Sequence, residues 1–173
     1  MADNLTSGTR FEYCGPGLDS FHTFYLGLHG YFALSVCIFG CVANLLNIVI
    51  LTRRELRSPT NALLTGLAVS DLLVMLDYVP FASHMYLWHG KRSREQMYEY
   101  GLAHMVFFHA IFTQICHTIS IWLTVTLAVW RYIAIAHPQK NSRWCRMETT
   151  IIAIAMAYVS CPLICIPLYL AFR

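Results

Sequence analysis

The chain has 173 residues, is 57% hydrophobic and only 12% charged, and carries a formal net charge of +3. A soluble domain carries about a quarter charged residues. Too few are present here to coat a water-facing globule, so the surplus apolar surface calls for lipid. The arginines gather at the ends of apolar runs and form no stripe, which excludes a nucleic-acid surface.

Residues 1–29 read as an N-terminal tail. Asp3, Arg10, Glu12 and Asp19 break up its start. No sustained apolar stretch precedes them, so no cleavable signal peptide is expected and the first span would serve as insertion signal. Asn4-Leu5-Thr6 is a sequon that makes Asn4 a candidate glycosylation site.

Four apolar runs follow, at about 30–52, 62–87, 101–136 and 149–172. Each is long enough to cross a bilayer, which takes about 20 helical residues. Each must be helical, because lipid offers backbone amides no partners. The third exceeds the membrane's thickness and is expected to tilt or protrude. The fold class is therefore all-α membrane, with residues 30–173 as one domain.

The first connection holds Arg53, Arg54, Glu55, Arg57 and Pro59; the second holds Lys91, Arg92, Arg94 and Glu95. The third runs through His137-Pro138-Gln139-Lys140 to Arg143, Arg146 and Glu148. Basic residues favour the side carrying the first and third connections. The positive-inside rule then places the N-terminus outside, as in a multi-pass plasma-membrane protein.

Of seven cysteines, Cys37, Cys41, Cys116, Cys161 and Cys165 lie inside runs, where a thiol behaves as a small hydrophobe. Cys14 and Cys145 fall on opposite sides of the membrane. No CxxC or other metal-ligand spacing occurs.

Ionisable side chains in lipid are costly, and the runs contain three: Asp71, Asp77 and Arg131. Asp71 is mid-span and must meet polar neighbours, with Asn44 and Ser120 as candidates. Such a set could hold a small cation through oxygen ligands, or could be a hydrogen-bond cluster that joins helices. Arg131 could equally be an ordinary snorkelling anchor.

Gly40-Cys41-Val42-Ala43-Asn44, Asn61 with Leu67-Ala68-Val69-Ser70-Asp71, Ser120 with Trp130-Arg131-Tyr132, and Ala136-His137-Pro138 occur in order, one set per span. Together they resemble the rhodopsin-like (class A) G-protein-coupled receptors. Arg57-Ser58-Pro59-Thr60-Asn61 and the stretch from Cys116 to Tyr132 are similar to the invertebrate FMRFamide-related neuropeptide receptors, the myosuppressin receptors among them. The resemblance implies that the four runs are the first four helices of a seven-helix bundle. It also implies an amidated neuropeptide ligand and a heterotrimeric G protein as partners.

Residue by residue, the resemblance makes Asn44, Asp71 and Ser120 part of a sodium pocket, with Asp71 the anionic ligand for Na+ in a complete receptor. Arg131, Tyr132 and Pro138 match the G-protein contact. In most relatives an acid precedes the arginine, whereas here Trp130 stands there, so the resting restraint on Arg131 must differ. Val106 stands near the family's usual extracellular cysteine, and the fourth span has no tryptophan. The ligand pocket implied by the resemblance draws on Asp77, Tyr78, Phe81, His84, His109, Thr113, Gln114 and His117. Asp77 could pair with the arginine of a peptide ending in Arg-Phe-amide, and neutral Thr113 argues against a monoamine. Any of these aromatics and histidines could instead be interhelical packing.

Competing readings are a haem- or metal-bearing four-helix protein, prompted by His104, His109 and His117 on one span, and a truncated receptor product that modulates its full-length form. A chain ending after the fourth helix is not expected to signal alone. No nucleophile, base and oxyanion-donor set suggests an enzyme.

Overall fold

A computed structural model describes residues 16–87 and 99–171. Asn4, Cys14 and the second connection's Lys91, Arg92, Arg94 and Glu95 lie outside the described residues.

Helix α1 covers Pro16–Leu51. It begins at Pro16, ahead of the span expected from residue 30, so part of the expected tail continues the same helix. It stops where the Thr52 hydroxyl folds back onto the Ile48 carbonyl at 2.7 Å. Thr and Ser side chains compete in this way with backbone continuation. A single 3-10 turn, Arg54–Leu56, follows.

Helix α2 covers Pro59–Ala82, with Ser58 as its N-cap and proline at the first helical position. Ser58 Oγ accepts from the Asn61 amide at 3.2 Å, which satisfies one of the unpaired amides of the first turn. Near its far end Pro80 removes one backbone donor. The helix then passes into a wider π-type turn, Ser83–Leu87.

Helix α3 covers Tyr100–Ala136, or 37 residues. At about 1.5 Å per residue it exceeds the hydrocarbon thickness, as its uninterrupted apolar length requires. It ends at His137, whose position before Pro138 disfavours further helix. Pro138 opens a short helix α4, Pro138–Trp144, within the basic connection. Helix α5 covers Met147–Ala171 and contains Pro162 and Pro167.

The core is assembled from α2, α3 and α5. Leu63, Ile119, Leu123, Ala157 and Cys161 form its buried centre, with Trp130, Ile154 and Tyr158 packed around it. Tyr158 Oη donates to the Gly66 carbonyl at 2.8 Å and joins α5 to α2. A side chain at Gly66 would touch Leu123 and Ile154, so the glycine lets three helices close up. Helix α1 packs outside α2, where Gly40 receives the Met75 thioether and Gly30 receives Tyr86.

The remaining apolar surface is turned outward. Phe32, Phe39, Leu46 and Val49 of α1 are exposed, and so are Ile152, Met156 and Leu163 of α5. Apolar side chains in such a proportion on the outside fit a hydrocarbon surrounding. Among the described residues, four helices, one in each expected run, are long and apolar enough to cross a membrane. The all-α architecture is that of the first part of a seven-helix bundle.

Candidate functional site

Two polar clusters lie between α2 and α3. The deeper one centres on Asp71. The Ser120 hydroxyl donates to Asp71 Oδ1 at 2.9 Å and lies 3.2 Å from Ser70 Oγ. Fully buried Ser70 donates its own proton to the Cys116 carbonyl at 2.8 Å. Two hydroxyl oxygens thus gather with the carboxylate, and oxygen donors are the type that a hard cation takes. Among the described residues Asn44 makes no hydrogen bond to this group. Its amide donates to the Gly40 carbonyl of its own helix at 3.0 Å. The expected trio is thus a bonded pair, supplemented by Ser70, which sequence reasoning did not assign to the site. Ser70 stands one helical step, about 100°, from Asp71 and joins through the facing helix, so the sequence alone carried no signal for it.

The second cluster centres on Asp77. His109 Nδ1 stands 2.6 Å from Asp77 Oδ2, with only 13% and 11% of the two side chains exposed. Thr113 donates to the same carboxylate oxygen at 3.3 Å. Phe81 stacks on the imidazole, with centroids 3.8 Å apart and planes 12° from parallel. Tyr78 closes the group at 5.7 Å from the same ring. An ionised Asp77 requires the proton at Nδ1, so His109 is the donor. A short contact of this kind away from bulk water is stronger than its exposed equivalent.

Five of the eight expected ligand residues therefore meet: Asp77, Tyr78, Phe81, His109 and Thr113. His84 belongs to the π-type turn. Gln114 is exposed and lines a different, apolar hollow with Val106, Phe107 and Leu168. His117 is exposed and lies beside Ile121 and Thr124 on another face of α3. Asp77 is also already partnered within the chain, so an incoming cation has to share it with His109 or displace His109.

At the opposite end, Trp130 Nε1 donates to Thr150 Oγ1 at 3.0 Å. The Thr150 hydroxyl donates in turn to the Arg146 carbonyl at 2.9 Å. Arg131 and Tyr132 are exposed, and Tyr132 meets the His137 ring edge-on at 6.0 Å. Among the described residues Arg131 has no ion pair. The residue before it thus engages α5 and leaves the guanidinium available. Between α4 and α5, burial pushes the Cys145 thiol pKa upward.

The histidines of α3 have separate surroundings. His104 contacts the Tyr100 carbonyl at 3.1 Å, His109 contacts Asp77, and His117 is exposed. Among the described residues no three His, Cys, Asp or Glu side chains converge in a metal-ligand group.

Residues 31–173 match the family model described as "Serpentine type 7TM GPCR chemoreceptor Srw". The chain belongs to the serpentine seven-helix G-protein-coupled receptors. It is therefore a multi-pass membrane protein of a receptor family, not of an enzyme family. The chain is 34% identical over 116 residues to the G-protein coupled receptor dmsr-1 of Caenorhabditis elegans, covering 67% of this chain and 23% of that one. It is 32% identical over 144 residues to the sex peptide receptor of Drosophila melanogaster, covering 83% and 30% respectively. The FMRFamide receptor of the same fly is 28% identical over 121 residues, covering 64% and 20%. The receptor chain thus spans less than a third of the length of these relatives.

Proposed function

We propose that these four helices belong to a rhodopsin-like receptor for an amidated neuropeptide of the FMRFamide-related, myosuppressin-like class. The receptor would act at the plasma membrane with its N-terminus outside and would pass the signal to a heterotrimeric G protein. The observation that carries the ligand class is the part-buried Asp77–His109 pair under Phe81. An acid held in an aromatic surround suits a guanidinium followed by an aromatic ring, since arginine pairs with carboxylate and stacks on rings at once. Relatives named for sex peptide and FMRFamide support a peptide ligand.

Asp71 and Ser120, with Asn44 nearby on α1, would contribute to a Na+ pocket in the complete bundle. Arg131, Tyr132 and Pro138 would face the G protein, and the exposure of Arg131 and Tyr132 supports that reading. The test is to express the seven-helix receptor carrying this segment in cells and measure G-protein activation by a panel of peptides. Nanomolar-range responses to Arg-Phe-amide peptides are expected. Responses confined to peptides without that ending, or to amines, would refute the ligand class.

A further inference from the structure

The arginine-rich end of the bundle contains a cleft that the receptor reading does not use. It lies where α1, α2 and α5 meet and has a volume of about 230 Å³. Leu51, Ala62, Met147 and Ile151 form its apolar walls, and Arg57 and Ser58 stand among its polar members.

The polar side of the cleft is built with fixed geometry. The Asn61 side chain donates to the Leu56 carbonyl at 2.6 Å, and the Leu56 amide closes onto the Arg53 carbonyl at 3.1 Å. These bonds hold the connection carrying Arg57 and Ser58 against the first turn of α2. Thr52 and Thr65 also line the cleft, but their protons are committed to the Ile48 and Asn61 carbonyls. Ser58 Oγ accepts a bond from the Asn61 amide and keeps its own proton to donate. Arg57 is exposed, and its guanidinium has no ion pair among the described residues. The donors left over are thus a guanidinium and a hydroxyl, both suited to a phosphate oxygen.

The surroundings favour an anion. Arg53, Arg54 and Arg146 are exposed at the same end, against the acids Glu55 and Glu148. The cleft sits at the ends of membrane-crossing helices, so its apolar walls begin where acyl chains begin.

We propose that this cleft binds one anionic phospholipid, with the phosphate held by Arg57 and Ser58 and an acyl chain laid along Leu51, Ala62, Met147 and Ile151. The choice of leaflet rests on the orientation proposed above. With the N-terminus outside, this end faces the cytoplasmic leaflet, where anionic lipids concentrate. A lipid here joins the α1–α2 connection to the first turn of α5. That turn also carries Thr150, the partner of Trp130.

The test is native mass spectrometry of the purified 173-residue chain in detergent, titrated with phosphatidylserine, phosphatidylcholine and soluble glycerophosphate. One tightly retained phosphatidylserine is expected, with weaker phosphatidylcholine and no comparable glycerophosphate binding. Arg57→Gln should weaken phosphatidylserine by about fivefold, the effect of one basic side chain at a membrane surface. Arg143→Gln removes the same charge from α4, outside the cleft, and should change little. Ala62→Leu fills the cleft while keeping every charge, and should also displace the lipid. Equal losses in the two arginine variants, retained binding in Ala62→Leu, or equal uptake of phosphatidylcholine or glycerophosphate would each overturn the proposal. Glycosylation mapping of the termini tests the orientation separately; an inverted result would move the cleft to the leaflet poor in anionic lipid and overturn this choice of occupant.

Discussion

Trp130 reaches across from α3 and donates its indole proton to Thr150 of α5, at 3.0 Å. Thr150 is completely buried and keeps its own bond to the Arg146 carbonyl. The tryptophan therefore acts as a strut between two helices. In most of the rhodopsin-like receptors that this chain resembles, an acid precedes the arginine; here Trp130 bonds to a different helix, and Arg131 stands exposed.

Trp130→Phe should remove the link while preserving most of the packing. Thr150 would lose one accepted bond but not its donated one, so the expected cost is about 0.5–1.5 kcal/mol. Thermal unfolding of the purified chain in detergent would measure it. In the full receptor, Trp130→Asp should give Arg131 a neighbouring partner and lower signalling without ligand. Unchanged or higher basal signalling would show that the restraint lies elsewhere.

Asp77→Asn should keep an acceptor for His109 and Thr113 but remove the charge. In the full receptor it should weaken an arginine-containing peptide by about tenfold or more, the scale of a charge-assisted hydrogen bond. A citrulline analogue of the same peptide should lose far less. Equal losses for the two peptides would remove Asp77 from direct contact with the ligand.

Gly30→Ala and Gly40→Ala should behave differently. A methyl at Gly30 would stand 2.7 Å from Tyr86 Cβ, which is fixed to the backbone and cannot swing away. A methyl at Gly40 would meet the end of Met75 at 3.1 Å, and a thioether can move. The first substitution should cost about 1–3 kcal/mol and the second much less. Comparing midpoint temperatures of the two variants would decide it.

Cys145 should alkylate slowly. Its thiol is buried and its pKa lies above the ordinary value, so less thiolate is present at any given pH near neutrality. The protonated thiol is the form that the fold favours. Stability from this group is therefore present below its unfolded pKa and lost as pH rises through the higher folded one. Peptide-mapped labelling at Cys145 should need a higher pH in the folded chain than in the unfolded chain. Coincident pH profiles would contradict the burial.

The spans were legible because lipid imposes one rule on every backbone amide, and the charge-free intervals between Asp19 and Arg53 and between Glu99 and Arg131 expose that rule directly. The same charge-free interval covers the extra length of α1 before residue 30, where Phe21, Phe24, Leu26 and Leu28 continue the apolar run. What the pattern does not give is its packing: His29 meets Tyr25 through a 3.0 Å bond and lies edge-on against Tyr86, a residue distant in sequence.

The site was partly legible for a similar reason. Asp71 and Asp77 stood out as charges in lipid, and the family resemblance named His109 and Thr113, which lie four residues apart on one face of α3. Gln114 stands one step, about 100°, from Thr113, and His117 drifts about 80° from His109 over two turns, which is enough to leave that face. The sequence left Asn44 open, since its amide could turn toward α2 or back along its own helix. The Trp130–Thr150 bond needed the register of α5 against α3, which no residue pattern in either helix encodes alone.

The broad turn at Ser83–Leu87 has an evolutionary consequence. It fits one residue more than a regular turn into nearly the same rotation, so losing one residue there would restore regular coiling and leave the direction of the helix almost unchanged. A lineage could thereby drop a single codon without disturbing the Asp77–His109 contact.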